Sequence, residues 1–232
     1  DVVHISPSHH FPTGIVTPIS RRYELLGWAA ASANRYIIED DYDSEFRLTG
    51  KPIPSLQSMD ITQKVIYINT FTKSLSSTMR ISYMVLPPEL ANRFLEQLSF
   101  YSCTVSNFEQ YALMRFINEG YFEKHINRMR NFYHKQRDIL LDAIKRSPLS
   151  SHVTIMEEDS GLHFLLKLKM ELSDKEFMQR ALQKGIKLNS LSAYYHDSPD
   201  DFAAHTFIIN YSYLNTEHLA EAINVLYDCI KK

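Results

Sequence analysis

Residues 38–47 read IEDDYDSEFR, an acidic run directly after the apolar segment 36–38. An apolar segment of this kind is typical of a short buried strand. Because side chains alternate along an extended chain, Asp40 and Tyr42 are expected on one face. The acids expected on the other face are Glu39, Asp41 and Asp43. Two interpretations are open: a solvated acidic turn, or a carboxylate and a phenol at the carboxyl end of a strand, where α/β sheets bind ligands.

A lysine follows the next predicted strand, which spans residues 64–69. Lys73 lies in a turn rich in hydroxyl groups, and Arg80 comes seven residues later. The hydroxyl groups belong to Thr70, Thr72 and Ser74. A lysine in such a turn is most simply a surface residue, yet an amine beside hydroxyls and a guanidinium also suits a Schiff-base lysine next to a phosphate dianion. With the carboxylate and the phenol, this set matches the groups that hold pyridoxal phosphate.

The composition excludes several classes of protein. With 44% hydrophobic and 22% charged residues over 232 positions, the chain is not intrinsically disordered. A formal net charge of −2 without a long basic stretch lacks the electrostatic footprint of nucleic-acid binding, so any DNA contact has to come from another domain. The six glycines cannot form a GxGxxG or Walker phosphate loop. No apolar run is long enough to span a bilayer and no leader pattern opens the chain, so we expect no membrane contact and a cytoplasmic location.

Cysteines and histidines do not indicate a disulfide framework or a metal site. Cys103 and Cys229 are too few and too far apart, which favours a reducing compartment. His4, His9 and His10 lie close in sequence, but adjacent histidines on a strand point to opposite faces, and no cysteine or carboxylate lies at ligand spacing. We therefore expect no bound metal.

Strands and helical segments alternate in the first half of the chain, which indicates an α/β layer with parallel connections. The predicted elements there are a strand at 2–5, a helix at 19–35 with apolar positions Tyr23, Leu26, Ala30 and Ala33, and strands at 36–38, 64–69 and 81–86. After Pro87 the pattern predicts helices at 89–100, 107–118 and 121–144. The remainder predicts an α+β lobe, with strands at 153–156, 162–168 and 207–211 and helices at 174–183 and 217–230.

Four segments, taken in their order and spacing, point to one family. They are SHHFPTG at 8–14, IEDDYDSEFR at 38–47, TFTKSL at 70–75 with Arg80, and NRMR at 127–130 with Tyr133. Together they resemble the aminotransferase-like domain of the MocR branch of GntR-family transcription regulators, over nearly the whole chain. The resemblance implies the fold-type I architecture of aspartate aminotransferase, pyridoxal phosphate as cofactor, and a homodimer with its sites near the subunit interface.

The resemblance also implies a role for each candidate site residue. Lys73 resembles the catalytic lysine that forms the internal aldimine, Asp40 the partner of the pyridine nitrogen, and Tyr42 the partner of the ring oxygen. Arg80 and Thr70 resemble phosphate contacts. An ionised Asp40 would keep the pyridine nitrogen protonated and the ring an electron sink, so we expect its loss to weaken chemistry more than binding.

Two positions depart from the pattern of related proteins. Free aminotransferases have an asparagine before the Pro-Thr-Gly turn that bonds the ring oxygen, whereas this chain has Phe11. The segment 190–195 aligns with a stretch that provides a carboxylate-binding arginine in an amino-acid sensor of this branch, whereas this chain has Ala193. Another acid anchor, or a different ligand, has to be considered.

The fold class expected from this resemblance is α/β, a PLP-dependent transferase fold of the aspartate aminotransferase type. Residues 1–125 are expected to form the C-terminal part of the large cofactor domain, and residues 126–232 the small α+β domain. The first residue, Asp1, is not a methionine, which suggests a longer polypeptide. The N-terminal half of the large domain and a winged helix-turn-helix are expected upstream.

Three functional hypotheses follow from these observations. The first is an effector-binding and dimerising domain of a MocR-type regulator, which senses a small-molecule amine or amino acid by aldimine exchange at Lys73 and contacts DNA only through the upstream domain. The second is an active PLP-dependent aminotransferase, in which Lys73 also transfers the proton. The third is a dimerising scaffold without cofactor. The sequence does not decide whether the chain is an enzyme.

Overall fold

The computed structural model describes residues 1–50, 53–159, 161–196 and 200–231. The chain divides into two compact units. Unit 1 contains residues 1–10, 15–45 and 50–130, and unit 2 contains residues 11–14, 46–49 and 131–232.

Unit 1 is built on a four-stranded sheet with the order β1-β2-β3-β4. Its strands are β1 (Val2–Ile5), β2 (Tyr36–Asp40), β3 (Val65–Thr70) and β4 (Ser82–Val85). Its helices are α1 (Ile19–Ala30), α2 (Leu56–Met59), α3 (Phe71–Ser74), α4 (Pro88–Leu98) and α5 (Asn107–Asn118), and α6 (Tyr121–Arg146) begins in unit 1 and continues into unit 2. The expected α/β architecture of this half is confirmed.

The direction of the last strand differs from the expectation of parallel connections. Strands β1, β2 and β3 pair in parallel, but β4 pairs with β3 in the antiparallel sense. The connection from β3 to β4 contains only α3 and a turn, which is too short for the crossover that a parallel pair needs. The short connection therefore reverses the chain next to α3.

Helix α1 buries a different face from the one the sequence predicts. Its buried residues are Arg22, Leu26 and Ala29, whereas Tyr23 is 62% exposed. Leu26 and Ala29 pack on Ile37 of β2 in the core of unit 1. The buried face starts one residue before the predicted one because the Arg22 guanidinium, which is fully buried, donates hydrogen bonds to three backbone carbonyls. A charged side chain with these partners takes a place that an apolar residue was expected to fill.

Unit 2 contains a second four-stranded sheet with the order β5-β6-β8-β7, and its pairings are antiparallel. Its strands are β5 (Val153–Met156), β6 (His163–Leu168), β7 (Asn189–Ser190) and β8 (Thr206–Asn210), and its further helices are α7 (Asp174–Gln183) and α8 (Leu219–Ile230). Strand β6 is buried over most of its length and forms the centre of this core. Within the described residues, no helix combines the length and the apolar character needed to cross a bilayer.

Two glycines give a matched pair of stability predictions. Gly14 has φ +74°, and a Cβ there would lie 2.8 Å from Cβ of Glu157, whereas a Cβ on Gly27 in α1 meets nothing within 4 Å. We expect Gly14→Ala to lower the free energy of unfolding by about 1–3 kcal/mol because it adds backbone strain and a clash. Gly27→Ala should raise it by about 0.5–1 kcal/mol through helix propensity. Urea unfolding of both variants measures the two changes, and a neutral Gly14→Ala would contradict the described geometry.

Candidate functional site

The candidate site lies at one edge of the unit 1 sheet, where the parallel strands end. Strand β2 ends at Asp40, which pairs in register with Ile68, and β3 ends at Thr70. Because β4 is antiparallel, it begins at the same edge, with Ser82 opposite Thr70. Parallel strands lie about 4.8 Å apart, so the chain segments that follow β2 and β3 start side by side. The sheet topology thus brings the predicted ligand-binding residues of unit 1 to one edge.

Lys73 and Arg80 lie on two segments that are joined by hydrogen bonds. Lys73 is in the short helix α3, which is capped by the Thr70 hydroxyl accepting from the Thr72 amide at 3.2 Å. The Phe71 amide donates to the Ile81 carbonyl at 2.9 Å, and the Thr72 hydroxyl donates to the Met79 carbonyl at 2.9 Å. These bonds hold the lysine and the arginine near each other along the same edge.

Both cationic side chains are available for a ligand. Lys73 and Arg80 are exposed, and neither forms a hydrogen bond or ion pair with the part of the chain that the structure describes. The Thr70 hydroxyl is used within the turn, because it lies within hydrogen-bond distance of the Ile81 carbonyl and of the Thr72 hydroxyl. Its contact with a phosphate stays a prediction.

Asp40 has a histidine neighbour on the adjacent strand. His4 Nε2 in β1 lies 3.4 Å from Asp40 Oδ2, and the Asp40 side chain is 34% exposed. His4 pairs in register with Ile38, two positions before Asp40, so both side chains extend from the same face of the sheet. This contact can orient the Asp40 carboxylate.

Tyr42 is held as a neutral phenol. Its hydroxyl donates to the backbone carbonyl of His9 at 3.0 Å. Burial, together with the negative charges of Asp43 and Asp40, raises the pKa of Tyr42. The hydroxyl proton therefore stays in place at physiological pH and is donated to the His9 carbonyl, so a contact of Tyr42 with the cofactor stays a prediction.

The acids on the opposite face are buried, and the interpretation of this run as a solvated turn is wrong. Glu39 accepts hydrogen bonds from the amides of Leu56 and Gln57 and so caps α2. The other contacts of the buried acids are Asp41 Oδ2 with the Tyr67 and Ser44 hydroxyls, each within 2.8 Å, and Asp43 Oδ2 with His9 Nδ1 at 2.8 Å. Each carboxylate fixes a neighbouring segment, so this face has a structural role.

The buried acids form a strongly coupled set of charges. Burial raises the pKa of Asp43, while the hydrogen bond and charge of His9 and the charge of Lys73 oppose this rise. Burial likewise raises the pKa of Glu39, opposed mainly by the two amides it accepts from. Lys73 thus acts electrostatically on the segment that contains Asp40 and Tyr42, even though it forms no direct ion pair there.

Two site residues, His4 and His9, were not identified as such from the sequence. The sequence pattern presents them only as metal-ligand candidates together with His10, yet His9 and His10 lie in the loop after β1 and not on a strand. His4 contacts Asp40, whereas His9, which is fully buried, supports Tyr42 and Asp43. For His4 a signal exists in the sequence, because a parallel pairing of predicted strands 2–5 and 36–38 brings it near Asp40. The contacts of His9 depend on a loop and have no such signal.

Unit 2 contains segment 190–195, where this chain has Ala193 in place of the carboxylate-binding arginine of an amino-acid sensor. The segment forms β7 and a 3-10 turn, Leu191–Tyr194, which contains Ala193. Asp174 at the start of α7 accepts hydrogen bonds from the hydroxyls of Ser190 and Ser192 and from the His205 amide. The turn is therefore fixed by the Asp174 carboxylate, and its sequence, SLSAYY at 190–195, contains no cationic side chain.

Comparison with known proteins gives consistent results for sequence and structure. No family model matches the chain. The chain is 46% identical over 199 residues to YdeL, an HTH-type transcriptional regulator of Bacillus subtilis, with 86% of this chain and 42% of that protein covered. It is 33% identical over 225 residues to MocR of Rhizobium meliloti, a probable rhizopine catabolism regulatory protein, with 97% and 45% covered. The chain thus spans less than half the length of these curated relatives.

The structural match is to an aminotransferase. The kynurenine aminotransferase of Pyrococcus horikoshii, solved in complex with PMP, superposes with a TM-score of 0.83 at 29% identity and covers 99% of this chain and 56% of that one. The fold is therefore that of the fold-type I, PLP-dependent aminotransferases, as the sequence implied. In sequence the chain is similar to part of these HTH-type transcriptional regulators, and in fold it is similar to an aminotransferase. The resemblance inferred from the four segments is confirmed.

Proposed function

We propose that this chain is the PLP-binding, effector-sensing and dimerising domain of a MocR-type regulator that acts in the cytoplasm. In this proposal unit 1 is the C-terminal part of the large cofactor domain and unit 2 is the small domain. DNA is contacted by a separate helix-turn-helix domain, since the relatives of this chain are HTH-type regulators that extend well beyond the matched part.

The side chains at the edge of the unit 1 sheet fit pyridoxal phosphate by their chemistry. Lys73 provides a primary amine, Arg80 a guanidinium suited to a phosphate, Asp40 a carboxylate suited to a pyridinium, and Tyr42 a phenol suited to the ring oxygen. Bound there, the cofactor supplies an aldehyde that reacts with primary amines and a ring that accepts electron density. Asp40 would hold the ring-nitrogen proton, and His4 would orient Asp40.

The observation that supports the proposal most strongly is the placement of the lysine and the arginine. Lys73 and Arg80 lie on two cross-linked segments at one sheet edge, exposed and without partners among the described residues. Exposed cations without partners, held at the carboxyl ends of parallel strands, are typical of an anionic-ligand site in an α/β sheet.

The test is an amine titration of the full-length regulator loaded with pyridoxal phosphate. We expect an absorption band above 400 nm from the Lys73-bound cofactor that shifts when a set of primary amines and amino acids is added. At least one compound should also change the affinity for operator DNA. Ligands that leave the cofactor band unchanged would contradict the sensing proposal, and absence of the band would contradict the cofactor assignment.

Asp40→Asn separates binding from chemistry. The variant keeps the shape of the side chain but loses the charge that stabilises a protonated ring nitrogen. We expect it to retain the cofactor and to react with amines about 100-fold more slowly. The rate of the absorption change after mixing with an amine measures this. Asp228→Asn, an exposed site on α8, serves as the control, and equal rates in both variants would exclude the assigned role of Asp40.

Aminotransferase activity is the alternative function, favoured by the superposition on an aminotransferase over 99% of this chain. The same preparation, given an amino donor and a 2-oxo acid, distinguishes the two. Continuous formation of a new amino acid would support an enzyme, whereas a single stoichiometric reaction without turnover would support a sensor.

A homodimer is the second part of the proposal, and an exposed apolar surface of unit 1 supports it. Helices α4 and α5 contain no buried residue, and α5 exposes Phe108 and Tyr111 by 83% and 62%. Surfaces of this kind mark interaction sites. We expect the full-length protein to be a dimer by sedimentation equilibrium and Phe108→Asp to dissociate it by at least about tenfold in Kd. An unchanged dimer constant would place the interface elsewhere.

A further inference from the structure

A pocket of about 440 Å³ lies in unit 1, apart from the groups assigned to the cofactor. It is lined by Glu45, Phe71, Tyr83, Ile117 and Phe122, which come from five different elements. The ring of Phe71 contacts the rings of Tyr83 and Phe122, with centroid distances of 5.5 and 5.8 Å. The pocket is therefore an open cleft lined mainly by aromatic rings, with a single carboxylate in its lining.

The carboxylate is poorly satisfied by the described part of the protein. Glu45 Oε1 accepts one long hydrogen bond from Asn69 Nδ2 at 3.4 Å, and that amide nitrogen also donates to the Tyr67 hydroxyl at 3.0 Å. Glu45 Oε2 is buried and has no hydrogen-bond partner among the described residues. A buried acceptor in this situation destabilises the protein unless a donor or a cation reaches it.

Among the residues that the structure describes, no cationic side chain pairs with the Glu45 carboxylate. Burial raises the pKa of Glu45 to about 7, and the charges of Asp41 and Asp43 add to this rise, while its own amide and Asn69 oppose it. The groups that face Glu45 from neighbouring elements are Asn69 of β3, Tyr83 of β4 and Arg130 of α6, and Arg130 donates to the backbone carbonyl of Glu45. The negative charges of Glu45, Asp41 and Asp43 would repel an anion, and a neutral ligand would not balance the charge of an ionised Glu45.

We propose that this pocket binds a small organic ammonium ion, with its charge against the Glu45 carboxylate and its alkyl groups against the rings of Phe71, Tyr83 and Phe122. Aromatic faces attract cations through the ring quadrupole, and a partly desolvated carboxylate adds an ion pair. Phe71 belongs to the same short helix as Lys73, so an occupant contacts the element that presents the lysine. The site is separate from the cofactor site and does not depend on the proposed function.

The test uses choline and its uncharged isostere 3,3-dimethylbutan-1-ol on the full-length protein, by isothermal titration calorimetry. Choline has no primary amine and cannot react with the cofactor aldehyde, so its binding does not depend on the state of Lys73. We expect choline to bind with a Kd of about 1 mM or below and the isostere at least about tenfold more weakly. Equal affinities of choline and the isostere would mean that the pocket does not recognise positive charge, which would contradict the proposal. Absence of choline binding would overturn the proposal. This result is expected if a lysine or arginine from the rest of the polypeptide already fills the pocket.

Variants and pH locate the bound cation. Glu45→Gln should weaken choline binding about tenfold or more, whereas Glu96→Gln on the exposed face of α4 should leave it unchanged. Because the cation favours the ionised form of Glu45, choline should bind more tightly at pH 8 than at pH 6 and should release protons at pH 7. Heats of binding in buffers of different ionisation enthalpy measure the proton release. Binding that is insensitive to both Glu45→Gln and pH would place the choline elsewhere.

Discussion

Lys73→Ala should remove covalent cofactor attachment from the full-length protein. Lys73 provides the amine at the sheet edge, and the described residues around it offer no second lysine in α3 or in the turn up to Arg80. After incubation with pyridoxal phosphate and reduction with borohydride, peptide mass mapping should find the pyridoxyl group on Lys73 of the parent and on no residue of unit 1 in the variant. Any turnover with a 2-oxo acid should fall by about 100-fold or more, since the proton-transferring group is lost.

Two control variants are needed for the Lys73→Ala experiment. Lys145→Ala changes an exposed lysine near the end of α6 and should leave the adduct intact. Lys73→Arg keeps the positive charge that acts on Asp43 but has no primary amine, so it should fold like the parent and form no adduct. A pyridoxyl group on another lysine in the parent protein would overturn the site assignment.

Arg22→Met should strongly destabilise unit 1. The guanidinium is fully buried and donates to the carbonyls of Pro7, Thr17 and Pro54 at 2.7, 3.0 and 2.8 Å. Methionine retains the aliphatic length but removes this donor from three carbonyls, of which the Pro7 carbonyl accepts it in a buried bond and the other two in partly buried bonds. Since hydrogen bonds to a charged group are worth about 1.5–3 kcal/mol each and are not additive, we expect a loss of about 3–5 kcal/mol.

Hydrogen exchange measured by mass spectrometry reports this loss locally. Amides of α1 should exchange about 140- to 4,000-fold faster in Arg22→Met, because each 1.4 kcal/mol of the expected loss corresponds to a factor of ten. Arg21→Met is the matched control: Arg21 is the neighbouring residue, exposed, and paired only with Glu24 on the same helix. It should change stability by less than about 0.5 kcal/mol. Similar exchange in both variants would mean that the three carbonyls find other donors.

Much of the fold follows from local patterns in the sequence. The long apolar and amphipathic segments predict α5, β5 and α7 with the bounds that the structure has, and the alternation of side chains after Ile38 predicts which acids share a face. The order of Asp40, Tyr42, Lys73 and Arg80 also predicts that they gather at a strand end, since parallel strands finish at a common edge. The bounds of these elements and the faces of their side chains depend on residues close together in the sequence, and the common edge depends on the parallel order of the strands.

Features that depend on distant segments could not be predicted in this way. The burial of Arg22 depends on carbonyls in two loops far along the chain, so the helix pattern alone assigns it to the polar face. The acids opposite Asp40 seemed suited to solvent because their partners, the α2 amides, Tyr67 and His9, come from other elements. Helix α3 is a single turn held by a threonine cap, too short for a periodic signal.

The alternation between the two faces of the segment after β2 constrains which insertions and deletions this protein can accept. Asp40 and Tyr42 share the face for which ligand contacts are proposed, whereas Glu39, Asp41 and Asp43 each hold a buried neighbour. Inserting or deleting one residue here would exchange the two sets and leave the buried partners without their acids. We therefore expect the segment not to accept a change of length, and loop-length variation in an engineered variant should begin after Phe46.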